Sequence, residues 1–308
     1  AGSGGGASEI NDLSDAVTNS SGKTIGLGTN ALASDDGTTN KNTALGYSAL
    51  NATTTGANNV AVGYFAGDSN TTGNGGVFVG YYAGRNATTA SHGVAIGQES
   101  VGYGVLTGSY NVCLGYRTLY NGTTASSSVA LGANALGNGV VTGSYNIAVG
   151  DRTLYKATSA HSNIAIGANA FGNGVATGSY SIGLGQNALY NFTGGTEAVA
   201  IGFNALYNLT TGGRHVAIGS RALYNQTTGS YNTVVGHEAG DSVTTGQNNT
   251  ILGRAAGDAL TTGSNNIVIG KDASASSATV SNEITLGDSS ITKFRVPGIG
   301  VTLGNNST

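Results

Sequence analysis

The chain lacks several residue types on which common folds and sites depend. Its 308 residues include one proline, one cysteine, no methionine and no tryptophan, and charged residues make up only 9%. A lone cysteine, Cys113, excludes a disulfide framework and a thiolate metal site. No stretch approaches the roughly 20 apolar residues of a transmembrane helix, so membrane insertion is not expected. A formal net charge of −3 predicts no binding to nucleic acid.

Glycine is abundant instead, with 53 residues, and it marks a repeat. Near-copies of Asn-x-Val-Ala-Ile-Gly recur along the chain, and the glycines that close them are spaced by 17 residues twelve times and by 18 residues four times. A period this short indicates a stack of small coils that bury their apolar sides against one another. The closing glycines are Gly28, Gly46, Gly63, Gly80, Gly97, Gly115, Gly132, Gly150, Gly167, Gly185, Gly202, Gly219, Gly236, Gly253, Gly270, Gly287 and Gly304.

Each copy predicts one β-strand. The residue before the closing glycine is Leu, Val or Ile, the residue three before it is β-branched, and the residue between them is usually Ala or Gly. We expect the two large residues to form the packed face, and the small residue to allow close approach of a neighbouring chain. A short second strand, as in Ala205-Leu206-Tyr207, and a polar turn rich in Gly and Asn complete the coil.

The predicted fold is therefore all-β, a parallel β-solenoid of about 17 coils with a repeat of 17–18 residues. The sequence leaves open whether the coil is a two-sided β-roll or a three-sided β-helix. Residues 1–23 lie outside the period as a linker-like lead-in, and we expect the start to be the cut end of a longer protein. Residues 24–304 form the repeat shaft and 305–308 a short tail. A coil this thin can enclose only one row of side chains from each strand, so the second apolar row predicts lateral association of several rods.

The repeat resembles two groups of fibrous proteins. The Asn-x-Val-Ala-Ile-Gly strand resembles the head repeats of trimeric autotransporter adhesins, which are left-handed parallel β-rolls packed as trimers. The longer unit in residues 42–56 and the stretch in residues 283–300 are more similar to the repeats of bacteriophage tail fibres. The autotransporter repeat is typically shorter than 17 residues, which favours the phage fibre. The resemblance implies a homotrimer, intertwined or side by side.

No constellation of catalytic groups is visible, because an enzyme needs several groups that converge on one point. The four histidines fall at different phases of the repeat, 12, 11, 13 and 1 residues after a closing glycine, and we expect them to be solvated near turns. They are His92, His161, His215 and His237. Cys113 is expected to be a small buried apolar residue. We therefore predict no enzyme, no metal site and no cofactor.

Tyrosine is the residue class that could carry binding. One group of tyrosines follows the closing glycine by five residues, and exposed rings in a row could stack on the sugars of a cell-surface glycan. Packing between coils or chains is the alternative. This group consists of Tyr120, Tyr155, Tyr190, Tyr207 and Tyr224.

We interpret the chain as the structural shaft of a bacteriophage tail fibre, extracellular on the virion, that presents or contributes to host-cell attachment. Its expected partners are identical chains, other fibre components and a host glycan. One alternative is a bacterial surface adhesin that binds glycan or matrix protein. A minor alternative is an ice-binding solenoid, suggested by paired threonines in the turns.

Overall fold

The computed structural model describes residues 16–19, 24–38 and 40–295. These residues form a single sheet of one short lead-in strand followed by sixteen strands, and they contain no helix. The strands are β1 Ala16–Asn19, β2 Thr24–Leu27, β3 Thr43–Leu45, β4 Val60–Val62, β5 Val77–Val79, β6 Val94–Ile96, β7 Val112–Leu114, β8 Val129–Leu131, β9 Ile147–Val149, β10 Ile164–Ile166, β11 Ile182–Leu184, β12 Val199–Ile201, β13 Val216–Ile218, β14 Thr233–Val235, β15 Thr250–Leu252, β16 Ile267–Ile269 and β17 Ile284–Leu286.

The predicted parallel solenoid is confirmed. Strands β2 to β17 pair only with their neighbours in sequence, in fifteen parallel pairings that place equivalent residues side by side. Val199 lies beside Val216, for example, one repeat further along the chain. At a strand spacing of about 4.8 Å, the stack is roughly 70 Å long. The seventeenth copy, around Gly304, lies outside the described residues.

The lead-in strand β1 lies within the segment predicted to precede the repeat. It runs antiparallel to β2, with Ala16 opposite Leu27 and Asn19 opposite Thr24. An unpaired edge strand exposes backbone donors and acceptors that can recruit other chains. β1 therefore covers this edge of the first coil.

The side of each strand that faces the core is opposite to the side that we predicted. The small middle residue is buried, as Ala200 and Ala217 are, whereas the large residues on either side of it are half-buried or exposed. The interior of a 17-residue coil is narrow, so a small side chain from the strand meets a leucine from the bend. The large residues consequently form an outer apolar surface instead of the core.

The predicted second strand is also wrong, and a run of turns replaces it. Within this run, the second and fourth residues after the closing glycine have positive φ, as in Asn204 (56°) and Leu206 (51°). The coils still bond to one another here, since the Leu206 N–H donates to the Ala222 carbonyl at 3.0 Å. Left-handed residues break the alternation of a strand, so Ala205 and Leu206 both point inward and are fully buried.

Some coils exchange the places of their large and small core residues. In these coils a large residue lies in the middle of the strand, and glycine stands where other coils carry the leucine of the bend. Phe78 fills the space beside Gly67, where an added Cβ would lie 2.7 Å from the Phe78 ring. Ile251 does the same beside Gly257, at 3.0 Å. Close packing explains this exchange, because each layer has room for one large side chain.

The closing glycines form a column that tolerates no side chain. Gly202 has φ of 134°, and a Cβ at this position would lie 2.5 Å from the carbonyl oxygen of Gly219. A non-glycine residue would therefore meet backbone strain and a backbone clash together.

We predict that Gly202→Ala will lower the free energy of unfolding by roughly 2–4 kcal/mol, from strain and clash combined. The control is Gly194→Ala in the same coil, since nothing lies within 3.8 Å of a Cβ built there. Denaturant unfolding followed by circular dichroism would measure both. Equal midpoints for the two variants would contradict the role of the column.

Candidate interaction surfaces

The outer side of the strands carries two rows of side chains along the stack, which we call the strand face. One row is apolar throughout, and the other is apolar except at Thr43, Thr233 and Thr250. The strand face consists of the first and last residues of the three-residue strands, and its members include Ile166 and Ile218, 42% and 36% exposed. The final residue is Leu, Val or Ile in every strand from β2 to β17. Soluble monomers rarely expose an apolar surface of this length.

Aromatic side chains lie next to the strand face in sequence. Directly after the closing glycine, Tyr47, Tyr64 and Tyr81 stack in successive coils, with ring centroids 5.3 and 5.5 Å apart. A second group of tyrosines lies two residues before β7, β9, β11 and β14, and all four are exposed by half or more. This group consists of Tyr110, Tyr145, Tyr180 and Tyr231. Tyrosine is enriched at protein interfaces because its ring is apolar and its hydroxyl can remain hydrated.

The structure brings together three of the five tyrosines that we predicted as glycan contacts. Tyr190, Tyr207 and Tyr224 stack in consecutive coils at 4.9 and 5.1 Å. Tyr120 stacks instead on Tyr103, at 5.6 Å. Tyr155 stands apart because the coils on either side carry glycine at its position. Burial and the neighbouring phenols raise the pKa of Tyr207.

Stacking limits what these tyrosines can offer to a sugar. Both faces of the Tyr207 ring are covered by its neighbours, and the Arg221 guanidinium lies 4.6 Å from the centre of the Tyr224 ring. Ring edges and hydroxyls remain outward. The glycan role of these residues stays a prediction.

A polar groove that the sequence analysis missed runs along the coils between Gly167 and Gly253. It has a volume of about 760 Å³ and is lined mainly by one row of asparagines and one row of threonines. Each asparagine follows a closing glycine by six residues, and each threonine follows one by eight. Alignment of the repeat by its closing glycines would have shown both rows. The lining residues are Asn173, Gly174, Val175, Asn191, Thr193, Asn208, Thr210, Asn225, Thr227, Ser242 and Thr244.

The residues with reactive side chains do not converge. Among the residues that the structure describes, no three of His, Cys, Asp and Glu could share a metal ion. Cys113 is buried, as predicted, and burial raises the pKa of its thiol to about 12. His92 and His237 are exposed and His161 is half-buried.

His215 contradicts the prediction that the histidines are solvated, because it is fully buried. It occupies the position before the strand at which most coils carry a buried asparagine. Its Nε2 lies 2.8 Å from the Gly229 carbonyl, and its Nδ1 accepts from the Asn232 N–H at 3.3 Å. The neutral ring thus reproduces the donor and the acceptor of an asparagine amide. Burial lowers the pKa of His215 from 6.5 to about 4.

Comparison with known proteins gives no relative: no family model, no curated protein and no solved structure matches the chain. Helices able to cross a bilayer are absent from the part of the chain that the structure describes.

The lowered pKa of His215 predicts sensitivity to acid. The unfolded chain binds the proton more tightly than the folded one, so stability is fully present above pH 6.5 and falls as the pH drops toward 4. The loss amounts to about 3 kcal/mol at most. The variant His215→Asn restores the common residue and should remove this part of the pH dependence. Urea midpoints measured between these pH values would test it, and an unchanged slope in the variant would contradict it.

Proposed function

We propose that the chain is a structural fibre shaft, of the kind found in bacteriophage tail fibres, in which identical chains associate laterally through the strand face. The observation that carries this proposal is the unbroken outer row of Leu, Val and Ile at the ends of β2 to β17, beside a second row that is apolar in most strands. The interior of the coil does not need these side chains, because Ala and Leu already fill it. Their regular recurrence is explained if a second copy covers them.

The dimensions of the strand face are adequate for a stable interface. Two rows along a stack of roughly 70 Å cover on the order of 700 Å², given the strand geometry. A standard interface buries about 800 Å² on each partner. Burial of apolar surface contributes about 25 cal/mol per Å², which is offset in part by the cost of association. Tyrosines beside the rows would form the rim of the interface, where their rings contact apolar side chains and their hydroxyls form hydrogen bonds.

The resemblance to trimeric fibres suggests that three copies associate. In a closed trimer, each strand face would point at the common axis and be hidden from water, and cyclic symmetry would prevent open-ended growth. Hydrogen bonds between coils run along each rod, so pulling or bending must strain many of them at once. Such a shaft would stand outside the cell on a virion, join other fibre components and hold an attachment site away from the particle.

A surface adhesin is the second candidate, because Tyr190, Tyr207 and Tyr224 form a partly exposed row in consecutive coils, although their stacked faces leave mainly edges and hydroxyls for contact. If these rings contact a host glycan or matrix protein, replacing them with Ala should abolish cell binding while the rod stays folded. A shaft that only spaces other parts would bind cells neither before nor after the change. Labelled protein on cultured bacteria or host cells separates these outcomes.

We predict a solution mass near three times the 30.3 kDa of one chain, measured by light scattering on protein that has not been heated or denatured. The double variant Ile166→Asn with Ile218→Asn places amides on the strand face and should shift the mass toward one chain. Val140→Asn is the matched control, because Val140 is 58% exposed but lies in a turn.

A single-chain mass for the unaltered protein would refute lateral association, and with it the main support for the fibre. A mass of two chains would keep the strand face as an interface and reject the trimer. Equal masses for the double variant and the Val140→Asn control would place the interface elsewhere.

A further inference from the structure

We infer that the polar groove between Asn173 and Thr244 is a binding site for a neutral linear polysaccharide that lies along the rod. The groove spans four asparagines on one side and four threonines on the other. Neither row lies on the strand face. In each of these coils the strand begins six residues after the threonine and lies on another flank of the rod. The site therefore does not depend on the proposed association and stays open in an associated fibre.

The asparagine side presents amide hydrogens in fixed directions. Asn173, Asn191 and Asn208 each donate one amide hydrogen to the Oδ1 of the next asparagine, at 3.0, 3.1 and 3.3 Å. Asn225 ends the row with a bond to the Asp241 carbonyl at 3.0 Å. An amide nitrogen carries two hydrogens, so each residue keeps one for a ligand.

The threonine side presents acceptors. Each hydroxyl donates to the carbonyl of the next coil, at 3.0 Å from Thr193, 3.1 Å from Thr210 and Thr227, and 3.3 Å from Thr244. These bonds fix the hydroxyl oxygens and leave their lone pairs available to a ligand. One wall thus offers donors and the other acceptors, and both are held in place before a ligand arrives. Preorganised groups of this kind bind at a lower entropic cost.

Charge and spacing select the class of ligand. The lining contains no charged side chain, which argues against nucleic acid and acidic polymers. Equivalent groups recur about every 4.8 Å along the rod, whereas an extended peptide advances only about 3.4 Å per residue. A pyranose unit in a linear chain is close in length to one coil, and its hydroxyls can both donate and accept. The groove would hold about four such units.

The test is titration calorimetry of the full chain with cellohexaose, chitohexaose and maltohexaose in turn. We expect at least one of these neutral oligosaccharides to bind, and the variants Asn208→Leu and Thr210→Val each to weaken binding about tenfold, as expected for a lost hydrogen bond.

Matched controls lie on the same two rows outside the groove. Asn121 bonds along the rod to the Asn138 carbonyl at 3.3 Å, and Thr71 to the Thr88 carbonyl at 3.2 Å. Asn121→Leu and Thr71→Val should leave affinity unchanged, and unfolding midpoints would show that all four variants fold. The inference is overturned if no oligosaccharide binds at millimolar concentration, or if both groove variants bind as well as the controls. Because no variant touches the strand face, light scattering on the same samples tests the fibre proposal separately.

Discussion

A column of buried polar residues directly before the strands, interrupted at Gly76, Gly93 and Ala198, holds most coils in register with the next, and much of the structure depends on it. In Asn249, the side-chain Oδ1 accepts from the backbone N–H of Asn266 at 3.0 Å, and Nδ2 donates to the Gly263 carbonyl at 3.0 Å. The first bond ties neighbouring coils together, and the second closes the turn that leads into the next strand. An unpaired buried amide would be costly, so a one-residue slip between coils is penalised at each asparagine. His215 can join this column only because its neutral ring offers the same pair of bonds.

Stacking in register also explains why the chain has so few charges. Equivalent positions of adjacent coils are about 4.8 Å apart, and a repeated charge would face its own copy. Several charges on neighbouring coils are paired with a charge of opposite sign, whereas like charges occupy equivalent positions only in short runs, such as Asp241 and Asp258. Arg117 pairs with Glu99 at 2.6 Å, and Arg254 pairs with Asp272 at 2.7 Å. Asparagine, threonine and tyrosine form the longer rows because each can contact its own copy without repulsion.

The sequence was sufficient to predict the stack, the period and the positions of β2 to β17, because these follow from residues that recur at one phase; β1 lies outside the repeat and was not predicted. It was not sufficient to predict which side of the strand faces inward. Large β-branched residues usually mark a core, but the thin coil buries Ala200 and leaves Val199 and Ile201 outside. The second strand was wrong for another reason: leucine with positive φ is uncommon, and only the stacked neighbours enforce it at Leu206. The exchange of Phe78 against Gly67 and Gly84 was present in the sequence, but only the structure shows that these residues share one layer.

The rows of the groove could have been predicted from the sequence, since Asn191, Asn208 and Asn225 recur at one phase, but the directions of their hydrogen bonds could not.

A single rod would become more soluble, and lose no core packing, if Ile166 or Ile218 were polar. All strands from β2 to β17 nevertheless end in Leu, Val or Ile. Monomer stability does not account for this regularity, because the column of buried amides and the interior Ala and Leu already hold the coils together. The lateral association that we propose would account for it, because an identical rod would then cover these side chains. The rows of asparagine and threonine lie on another flank, so under our two proposals one chain would have separate surfaces for association and for ligand binding.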